Sequence, residues 1–388
     1  MLKHLPMSPA NQHIVIVAGE ESCDIHAADL IKKLLQHHSK LSISGIGGKH
    51  MQAAGANLIY DLASYGVTGL TEVFWHLRTL KKAMTQIKSH LRSTKPNLLI
   101  LVDYPGFNLR LAKFAKKTLK LQIIYYISPQ IWAWRSKRIQ TIQQYIDHMA
   151  VILPFEKKIY QEAHLPVSFV GHPLVENLQK PISTQEARQH LGLPSDLKII
   201  ALLPGSRRHE IARHMPVLMT TALRLSTEHT NLHFVIPVAK TCSIKTVRQY
   251  IPKSLKTVSL IEGKAIEAIL SSDCVVVASG TASLECALLA KPMCIVYKAS
   301  WLSYFVAMKV IQVKYLGLCN LLQKHMLVPE LLQDDCNPTE LTAIVNQLLN
   351  HGTLVKKMLA GFKTLKIMLS EEKIDETLIT LVTRYLGG

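Results

Sequence analysis

Short apolar runs without charged residues recur along the chain, separated by segments with helical spacing, and they form two series. The first series comprises residues 14–18, 98–102, 123–127 and 149–153. The second comprises residues 199–203, 233–238, 258–261, 274–278 and 293–297. Runs this short, and rich in β-branched residues, are typical of parallel strands that are covered by helices on both faces. The pattern therefore predicts an α/β protein with two doubly wound domains that face a cleft.

The boundary between the two domains is expected between residues 169 and 181. This segment contains Gly171 and two prolines and has no clear periodicity, as is common in interdomain hinges. We accordingly predict domains at residues 1–172 and 173–353. Residues 354–388 form a helical tail rich in Lys and Leu, which could pack back on the first domain.

The chain is strongly basic. It has 45 Lys and Arg against 27 Asp and Glu, which gives a formal net charge of +18 at pH 7 with neutral His. Such an excess indicates anionic partners, namely nucleic acid, phosphorylated substrates or an anionic lipid surface, and it does not choose among them. The hydrophobic content of 48% is sufficient for full cores.

No targeting, membrane-spanning or metal-binding segment is predicted. The longest uncharged run, residues 121–134, is too short to span a bilayer. The N-terminal residues lack a long apolar signal region, so we expect a cytoplasmic protein. The seven cysteines include no Cys-x-x-Cys pair, which argues against a disulfide framework or a zinc site. We expect no metal and no cofactor.

Two strands of the second series end in glycine turns that lead into helices. The turns and the residues that follow them contain Pro204, Gly205, Ser206, Arg207 and Glu210, and Ser279, Gly280, Thr281 and Glu285. Glycine lets the backbone approach a ligand, and the free amides of a first helical turn bind anions. A carboxylate one turn later could accept hydrogen bonds from a diol. Together the two loops favour a nucleoside diphosphate, although Thr281 as a helix cap and Glu285 as a solvated side chain remain an alternative for the second loop.

Polar residues also follow the strands of the first series. Asp103 comes directly after residues 98–102 and is a candidate general base, or alternatively a cap for the next helix. Asp24 is likewise either a ligand-loop residue or a helix cap, and the glycines at 45, 47 and 48 predict a tight turn. The remaining candidates for sugar contacts are Gly19, Glu20, Ser22, Asn108, Ser128, Gln130, Trp132, Trp134, Arg135 and His172.

Residues 67–84 have helical spacing with a broad apolar face and a basic edge. The residues concerned are Val67, Leu70, Val73, Phe74, Leu77, Arg78, Lys81 and Lys82. The segment is either a helix that faces the core or a basic amphipathic helix that lies in a membrane interface.

These motifs resemble, in order along residues 13–335, those of the lipid-A-disaccharide synthase family. The matching stretches are residues 18–24, 103–108, 128–135, 153–156, 171–172, 204–210 and 279–285, of which Trp132-Ala133-Trp134-Arg135 is highly specific. The resemblance implies a GT-B glycosyltransferase with two Rossmann-like domains. Its expected reaction joins UDP-2,3-diacylglucosamine to 2,3-diacylglucosamine 1-phosphate, giving a β-1,6-linked disaccharide and UDP. It also implies a cytoplasmic enzyme that is bound peripherally to the inner membrane.

In this interpretation the first domain binds the acceptor and the second binds the UDP-sugar. Asp103 would deprotonate the acceptor hydroxyl, while Arg207, Ser206, Ser279 and Thr281 hold the diphosphate and Glu285 holds the ribose. Two residues depart from the family pattern, since Cys23 replaces a glycine and Gly106 replaces an acidic residue.

Two other functions are considered. A UDP-sugar epimerase could use the same fold, and it would form product without an acceptor sugar. A basic nucleic-acid-binding protein is disfavoured because no recognised nucleic-acid module is evident. Whether the chain forms a homodimer is left open.

Overall fold

A computed structural model describes residues 12–63, 72–134, 138–178, 181–239, 242–300, 314–370 and 374–387. The chain folds into two compact units, Met1–Pro173 with Leu369–Gly388, and Leu174–Met368. Each unit contains one parallel sheet with helices, so the predicted α/β class with two doubly wound domains is confirmed. Among the described residues, no helix has both the length and the apolar character needed to cross a bilayer.

The sheet of the first unit has seven parallel strands in the order β3-β2-β1-β4-β5-β6-β7. Its strands are β1 His13–Ala18, β2 Ser42–Gly47, β3 Asn57–Asp61, β4 Leu98–Val102, β5 Ile123–Tyr126, β6 His148–Val151 and β7 Val167–Phe169. Its helices are α1 Glu21–His37, α2 Lys49–Ala53, α3 Glu72–Thr94, α4 Pro105–Phe114, α5 Ile131–Trp134, α6 Arg138–Tyr145 and α7 Pro154–Glu162, and α4 continues as a π-helical turn, Ala115–Leu119. Strand β4 and the residues of β1 after His13 are fully buried, which accounts for their continuous apolar sequence.

The sheet of the second unit has six parallel strands in the order β10-β9-β8-β11-β12-β13. Its strands are β8 Lys198–Leu203, β9 Leu232–Val238, β10 Val258–Glu262, β11 Cys274–Ala278, β12 Met293–Tyr297 and β13 Glu330–Leu332. After the short helix α8 Pro173–Asn177 at the boundary, its described helices are α9 Thr184–Leu191, α10 Arg208–Glu228, α11 Ile244–Arg248, α12 Ala265–Ser271, α13 Thr281–Leu288, α14 Leu318–Gln323, α15 Pro338–Leu349 and α16 Thr353–Leu369. All seven cysteines of the chain are buried with free thiols.

The nine predicted strands are present, and four further strands were not predicted. In β2 the prediction of a tight turn at Gly45 and Gly47 is wrong, because both glycines lie inside the strand. A Cβ atom at Gly45 would lie 1.8 Å from the carbonyl oxygen of Ile16 on β1. Glycine is therefore needed for the close approach of two strands rather than for a turn.

The last described helix, α17 Leu378–Tyr385, belongs to the first unit. Its residues Leu381 and Val382 are fully buried in a core cluster that also contains residues of α1. Before this helix, Asp375 accepts a hydrogen bond from the amide of Phe169 (2.7 Å), and Glu376 accepts one from the hydroxyl of Ser168 (2.6 Å). The predicted tail of residues 354–388 is thus divided, because α16 lies in the second unit up to Met368.

Asp24 is buried in the first turns of α1 and caps a different helix. Its carboxylate accepts hydrogen bonds from the amides of Gly48 (2.7 Å), His50 (2.9 Å) and Met51 (3.1 Å), at the start of α2. The sequence suggested that Asp24 either caps its own helix or belongs to a ligand loop. In the structure it caps α2 instead. A Cβ atom at Gly48 would lie 2.8 Å from the carboxylate, which explains that glycine.

We expect Asp24→Asn to destabilise the first unit by about 2 kcal/mol, because an amide group replaces a charged acceptor that serves three backbone donors. Urea unfolding at pH 7 measures the loss. The control is Asp29→Asn, which removes a partly exposed i,i+4 pair with Lys33 and should change stability by less than about 0.5 kcal/mol. Equal losses for the two variants would contradict the capping role.

Candidate functional site

In the first unit, the predicted polar residues meet at the carboxyl edge of the sheet. Strands β1, β4, β5 and β6 are consecutive neighbours. Glu20 follows β1, Asp103 follows β4, Ser128 and Trp132 follow β5, and Glu156 follows β6. Because carboxyl ends of parallel strands share one edge, these residues form a single group, which is where open α/β sheets bind ligands.

The backbone at Asp103 is held in an unusual conformation. Asp103 and Tyr104 have φ angles of +41° and +48°, in the left-handed region that non-glycine residues rarely adopt. The carbonyl oxygen of Asp103 accepts hydrogen bonds from the hydroxyl of Tyr125 and from the side-chain amide of the buried Asn108 (2.7 Å). Such strain persists only where surrounding contacts fix it, and it concentrates at functional sites. Asn108 therefore helps to hold the backbone of Asp103 in this conformation.

The carboxyl group of Asp103 is half-buried. Burial, and then the nearby charge of Glu20, raise the pKa of Asp103 to about 6. The group is thus mostly ionised at pH 7 yet more basic than an exposed aspartate, which suits a general base. Burial, and then the charges of Asp103 and Glu20, raise the pKa of the buried Cys23 thiol well above its usual value, so the thiol stays protonated.

Gly19 and Gly106 have contrasting surroundings in this loop region. A Cβ atom at Gly19 would lie 2.1 Å from a ring carbon of Tyr104, so the ring of Tyr104 packs directly on the glycine. Gly106 is exposed near the start of α4, and a Cβ atom there would meet no atom within 4 Å. The departure from the family pattern at Gly106 therefore disturbs no packing.

The segment after β5 is fixed by buried polar contacts. Ile127 has a φ angle of +64°, an outlier for a β-branched residue. The hydroxyl of Ser128 lies 2.7 Å from that of Tyr160, and the indole N–H of Trp132 donates to Oε1 of Glu156 (3.0 Å). Ser128 and Trp132 were predicted site residues, whereas their hydrogen-bond partners Tyr160 and Glu156 were not. Glu156 does lie in one of the stretches that match the family.

Glu156 is only 1% exposed. Burial raises its pKa to about 8, an effect that hydrogen bonds from Trp132, Leu153 and Ser128 reduce and the charge of Asp103 increases. Glu156 is therefore mostly neutral at pH 7. His172, predicted as a sugar contact, is also buried; burial, and then His26, lower its pKa to about 3, so it is a neutral imidazole.

In the second unit, the two predicted phosphate loops are neighbours. Strands β8 and β11 are paired, with Leu203 opposite Val277 at their carboxyl ends. The loop that contains Pro204 to Arg207 and the loop that contains Ser279 to Thr281 therefore leave the sheet side by side. Ser206, Arg207 and Thr281 are exposed there.

Glu210 orders the first of these loops. Its Oε2 accepts hydrogen bonds from the amides of Ser206 (3.0 Å) and Arg207 (3.1 Å), and its Oε1 pairs with the guanidinium of Arg207 (3.1 Å). Gly205 has a φ angle of +107°, and a Cβ atom there would lie 2.4 Å from Oε2 of Glu210. Since its carboxylate is used by the loop itself, Glu210 fixes the shape of the loop and orients Arg207 in this structure.

The second loop leaves space for a ligand. Gly280, with a φ angle of +155°, precedes α13, and a Cβ atom there would meet no atom within 4 Å. The hydroxyl of Ser279 donates to the carbonyl of Leu316 (3.4 Å). Burial raises the pKa of the half-buried Glu285, and its carboxylate has no hydrogen-bond partner among the described residues. This carboxylate is available to accept from a neutral diol.

His214 connects the same loop to the end of β12 and was not predicted. It is fully buried on α10; its Nδ1 donates to the carbonyl of Pro204 (2.7 Å), and its Nε2 accepts from the amide of Lys298 (2.9 Å). These two partners require the neutral ring with the proton on Nδ1. Burial lowers its pKa, in agreement with a neutral ring. No local sequence signal distinguishes such a histidine from an exposed one.

The remaining predicted residues are either exposed or not among the residues that the structure describes. Ser22, Glu20 and Gln130 are exposed. Val67, Leu70 and Arg135 lie outside the described residues, as do the side chains of Val73, Phe74 and Trp134. The helix predicted at residues 67–84 is described from Glu72 and continues to Thr94 as α3. One face of α3 is buried in the core at Ala83, Ile87 and Leu91, whereas Leu77, Arg78, Lys81 and Lys82 are exposed.

Comparisons with known proteins show the family of this chain and its fold. A family model described as "Lipid-A-disaccharide synthetase" matches residues 14–379. "Lipid-A-disaccharide synthase 1" of Legionella pneumophila (strain Paris) is 54% identical over 378 residues, which cover 97% of this chain and 98% of that protein.

Two solved structures are similar in fold. The glycotransferase of kitacinnamycin has a TM-score of 0.63 at 12% identity and covers 97% of this chain and 100% of its own. The UDP-GlcNAc 2-epimerase of Neisseria meningitidis bound to UDP-GlcNAc has a TM-score of 0.62 at 15% identity and covers 92% and 99%. Identities this low show the shared fold alone, and the predicted GT-B class is confirmed. Because the family match extends over most of its length, the chain belongs to the lipid-A-disaccharide synthase family.

Proposed function

We propose that the enzyme transfers diacylglucosamine from UDP-2,3-diacylglucosamine to the 6-hydroxyl of 2,3-diacylglucosamine 1-phosphate, with inversion at the anomeric carbon and release of UDP. Family membership supports the reaction class. The observation that carries the mechanism is Asp103, a strained and half-buried carboxylate whose pKa is raised to about 6 at the sheet edge of the first unit. The net charge of +18 suits two anionic substrates.

In this mechanism Asp103 accepts the proton of the acceptor 6-hydroxyl as the oxygen attacks the anomeric carbon. The bond from that carbon to the UDP oxygen breaks in the same displacement. A base that is positioned in this way typically contributes about 10²- to 10⁴-fold to the rate. The groups proposed to contact the sugars at this edge are Gly19, Glu20, Ser22, Asn108, Ser128, Gln130, Trp132, Trp134, Arg135 and His172.

The second unit is proposed to hold UDP. Arg207 is exposed next to Ser206 and oriented by Glu210, so its guanidinium can bind the diphosphate through charged hydrogen bonds. Ser279, Gly280 and Thr281 provide hydroxyls and the free amides of α13, which favour an anion. Glu285, one turn into α13, is proposed to accept from the ribose diol. These groups would also stabilise the charge of the leaving UDP.

Incubation of the enzyme with UDP-diacylglucosamine and diacylglucosamine 1-phosphate, followed by mass spectrometry, tests the proposal. We expect a disaccharide 1-phosphate and UDP in equal amounts, and neither when the acceptor is omitted. Conversion of the UDP-sugar without acceptor would instead identify an epimerase, the activity named for one of the structural neighbours.

We also propose that the first part of α3 binds the cytoplasmic surface of the inner membrane. Leu77 is 51% exposed beside the exposed cations Arg78, Lys81 and Lys82. An apolar side chain flanked by cations is favourable in an anionic headgroup region, where each cation contributes about 1 kcal/mol.

The triple variant Arg78→Glu, Lys81→Glu, Lys82→Glu is expected to lose at least about tenfold in affinity for vesicles that contain anionic lipid, because the attraction becomes repulsion. Vesicle flotation measures the bound fraction. A control with the same change in charge is Arg248→Glu, Lys253→Glu, Lys256→Glu in the second unit, where all three side chains are exposed. If both variants lose binding equally, net charge rather than α3 is responsible.

A further inference from the structure

Glu156 has a set of contacts that the proposed reaction does not require. It is the third residue of α7, and its Oε2 accepts from the amide of Leu153 (3.3 Å) in a capping arrangement. Its other oxygen, Oε1, accepts from the indole N–H of Trp132 (3.0 Å), which lies on the short helix α5 in the connection that follows β5. One buried side chain therefore joins the loop after β6 to the loop after β5.

The loop after β5 needs this support because its backbone is strained. Ile127 adopts a φ angle of +64° directly before Ser128, a conformation that costs on the order of 1–3 kcal/mol and survives only when neighbouring contacts enforce it. The contacts are the pair between the hydroxyls of Ser128 and Tyr160 and the bond from Trp132 to Glu156. The ring of Trp132 also packs edge-on against Phe155, with 5.1 Å between ring centres.

This loop lies directly beside Asp103. Strands β4 and β5 are paired up to Val102 and Tyr126, so Asp103 and the residues after Tyr126 leave the sheet next to each other. The amide of Asp103 donates to the carbonyl of Tyr126 (2.9 Å), and the hydroxyl of Tyr125 donates to the carbonyl of Asp103. A change in the backbone path of residues 127–132 would therefore also shift the turn at Asp103 and change the orientation of its side chain.

We propose that Glu156 is a positioning residue for the Asp103 site, which acts by holding Trp132 and the strained loop of residues 127–132 in place. The inference rests on the proposed function in taking Asp103 as the base. Glu156 itself does not touch the substrate.

The neutral form of Glu156 is the one that fits these surroundings. It is buried, and no Lys, Arg or His among the described residues forms an ion pair with it. The titratable groups that face it in the described structure are Asp103 after β4 and Tyr160 on α7, and neither is a cation. Its pKa of about 8 means that it becomes charged above that pH. A charge there would repel Asp103 and weaken the packing of the loop.

Three single variants and one double variant of the full chain test the proposal. Glu156→Gln stays uncharged and keeps one acceptor oxygen, so it should lose less kcat at pH 7 than the leucine variant does. Glu156→Leu removes both acceptors and should lower kcat by about 10- to 100-fold, with a smaller effect on KM. Trp132→Phe removes the N–H donor together with part of the ring and should also lower kcat. The double variant Trp132→Phe, Glu156→Leu should be no worse than Glu156→Leu alone, because coupled residues are not additive.

The pH profile separates positioning from a general effect on folding. The wild-type kcat should fall as the pH rises through about 8, and Glu156→Gln should keep its activity to higher pH. A profile for Glu156→Gln that falls at the same pH as that of the wild type would overturn the proposal, as would a folded Glu156→Leu enzyme with wild-type kcat.

Hydrogen exchange provides a readout that does not depend on the reaction. Amides of residues 127–132 should exchange at least about tenfold faster in Glu156→Leu than in the wild type or Glu156→Gln, while those of β8 and β11 stay unchanged. Absence of this local change refutes the positioning role. If exchange changes as expected but the wild type forms no disaccharide, the proposed function fails and the structural role of Glu156 stands.

Discussion

Replacement of Asp103 by alanine is expected to lower kcat for disaccharide formation by about 10²- to 10⁴-fold, because the acceptor hydroxyl then loses its base. UDP affinity should not change, since the proposed UDP groups all belong to the second unit. Initial rates with saturating substrates measure the first effect, and calorimetric titration with UDP measures the second. Asp103→Asn, which keeps the size of the side chain, should lose a similar factor. An active Asp103→Asn enzyme would remove the assignment of the base.

The pH profile provides an independent check on Asp103. Its pKa is about 6 and only the ionised form is a base, so the rate should fall as the pH drops through about 6. Glu20 contributes to this raised pKa. Glu20→Gln should therefore move the acidic limb of the profile to lower pH, whatever its effect on the maximum rate. A limb that stays in place would show that another group titrates.

Replacement of Arg207 by alanine is expected to weaken UDP binding by about 10- to 100-fold, because a charged hydrogen bond to phosphate contributes about 1.5–3 kcal/mol. The side chain of Arg207 is 68% exposed, and the backbone amides of Ser206 and Arg207 still donate to the carboxylate of Glu210 in the variant, so its removal should scarcely affect folding. Calorimetric titration with UDP and with uridine measures the effect. Uridine affinity should be unchanged, since uridine lacks the diphosphate.

The matched control for Arg207 is its neighbour Arg208, an exposed arginine at the start of α10. Arg208→Ala removes the same charge from the same loop and should leave UDP affinity within about threefold. Equal losses in the two variants would indicate a general electrostatic attraction by the basic surface instead of a specific contact with phosphate.

The features that the sequence predicted correctly are those with a local cause. A buried parallel strand must be apolar throughout, so β4 and β11 could be identified from five residues each. The glycine turns after β8 and β11 were likewise visible, because glycine is required where φ is positive, as at Gly205.

The features that the sequence did not predict depend on partners that are distant along the chain. Gly45 lies in a strand because β1 approaches it closely, and Asp24 caps a helix that begins 25 residues later at Lys49. In the sequence alone, Glu156 is indistinguishable from an ordinary carboxylate in the first turn of a helix. Only the burial that Trp132 and the neighbouring loops impose distinguishes it from a solvated residue.

The docking of α17 on the first unit has a consequence for biosynthesis. The unit that is translated first needs Leu381 and Val382, which are synthesised only after the whole second unit, to complete its core. Until then the apolar surface of α1 that these residues cover is open to water and to other nascent chains. Synthesis that stops before α17 would therefore leave apolar surface exposed on the amino-terminal half of the enzyme and make it prone to aggregation, although every residue of that half had been made.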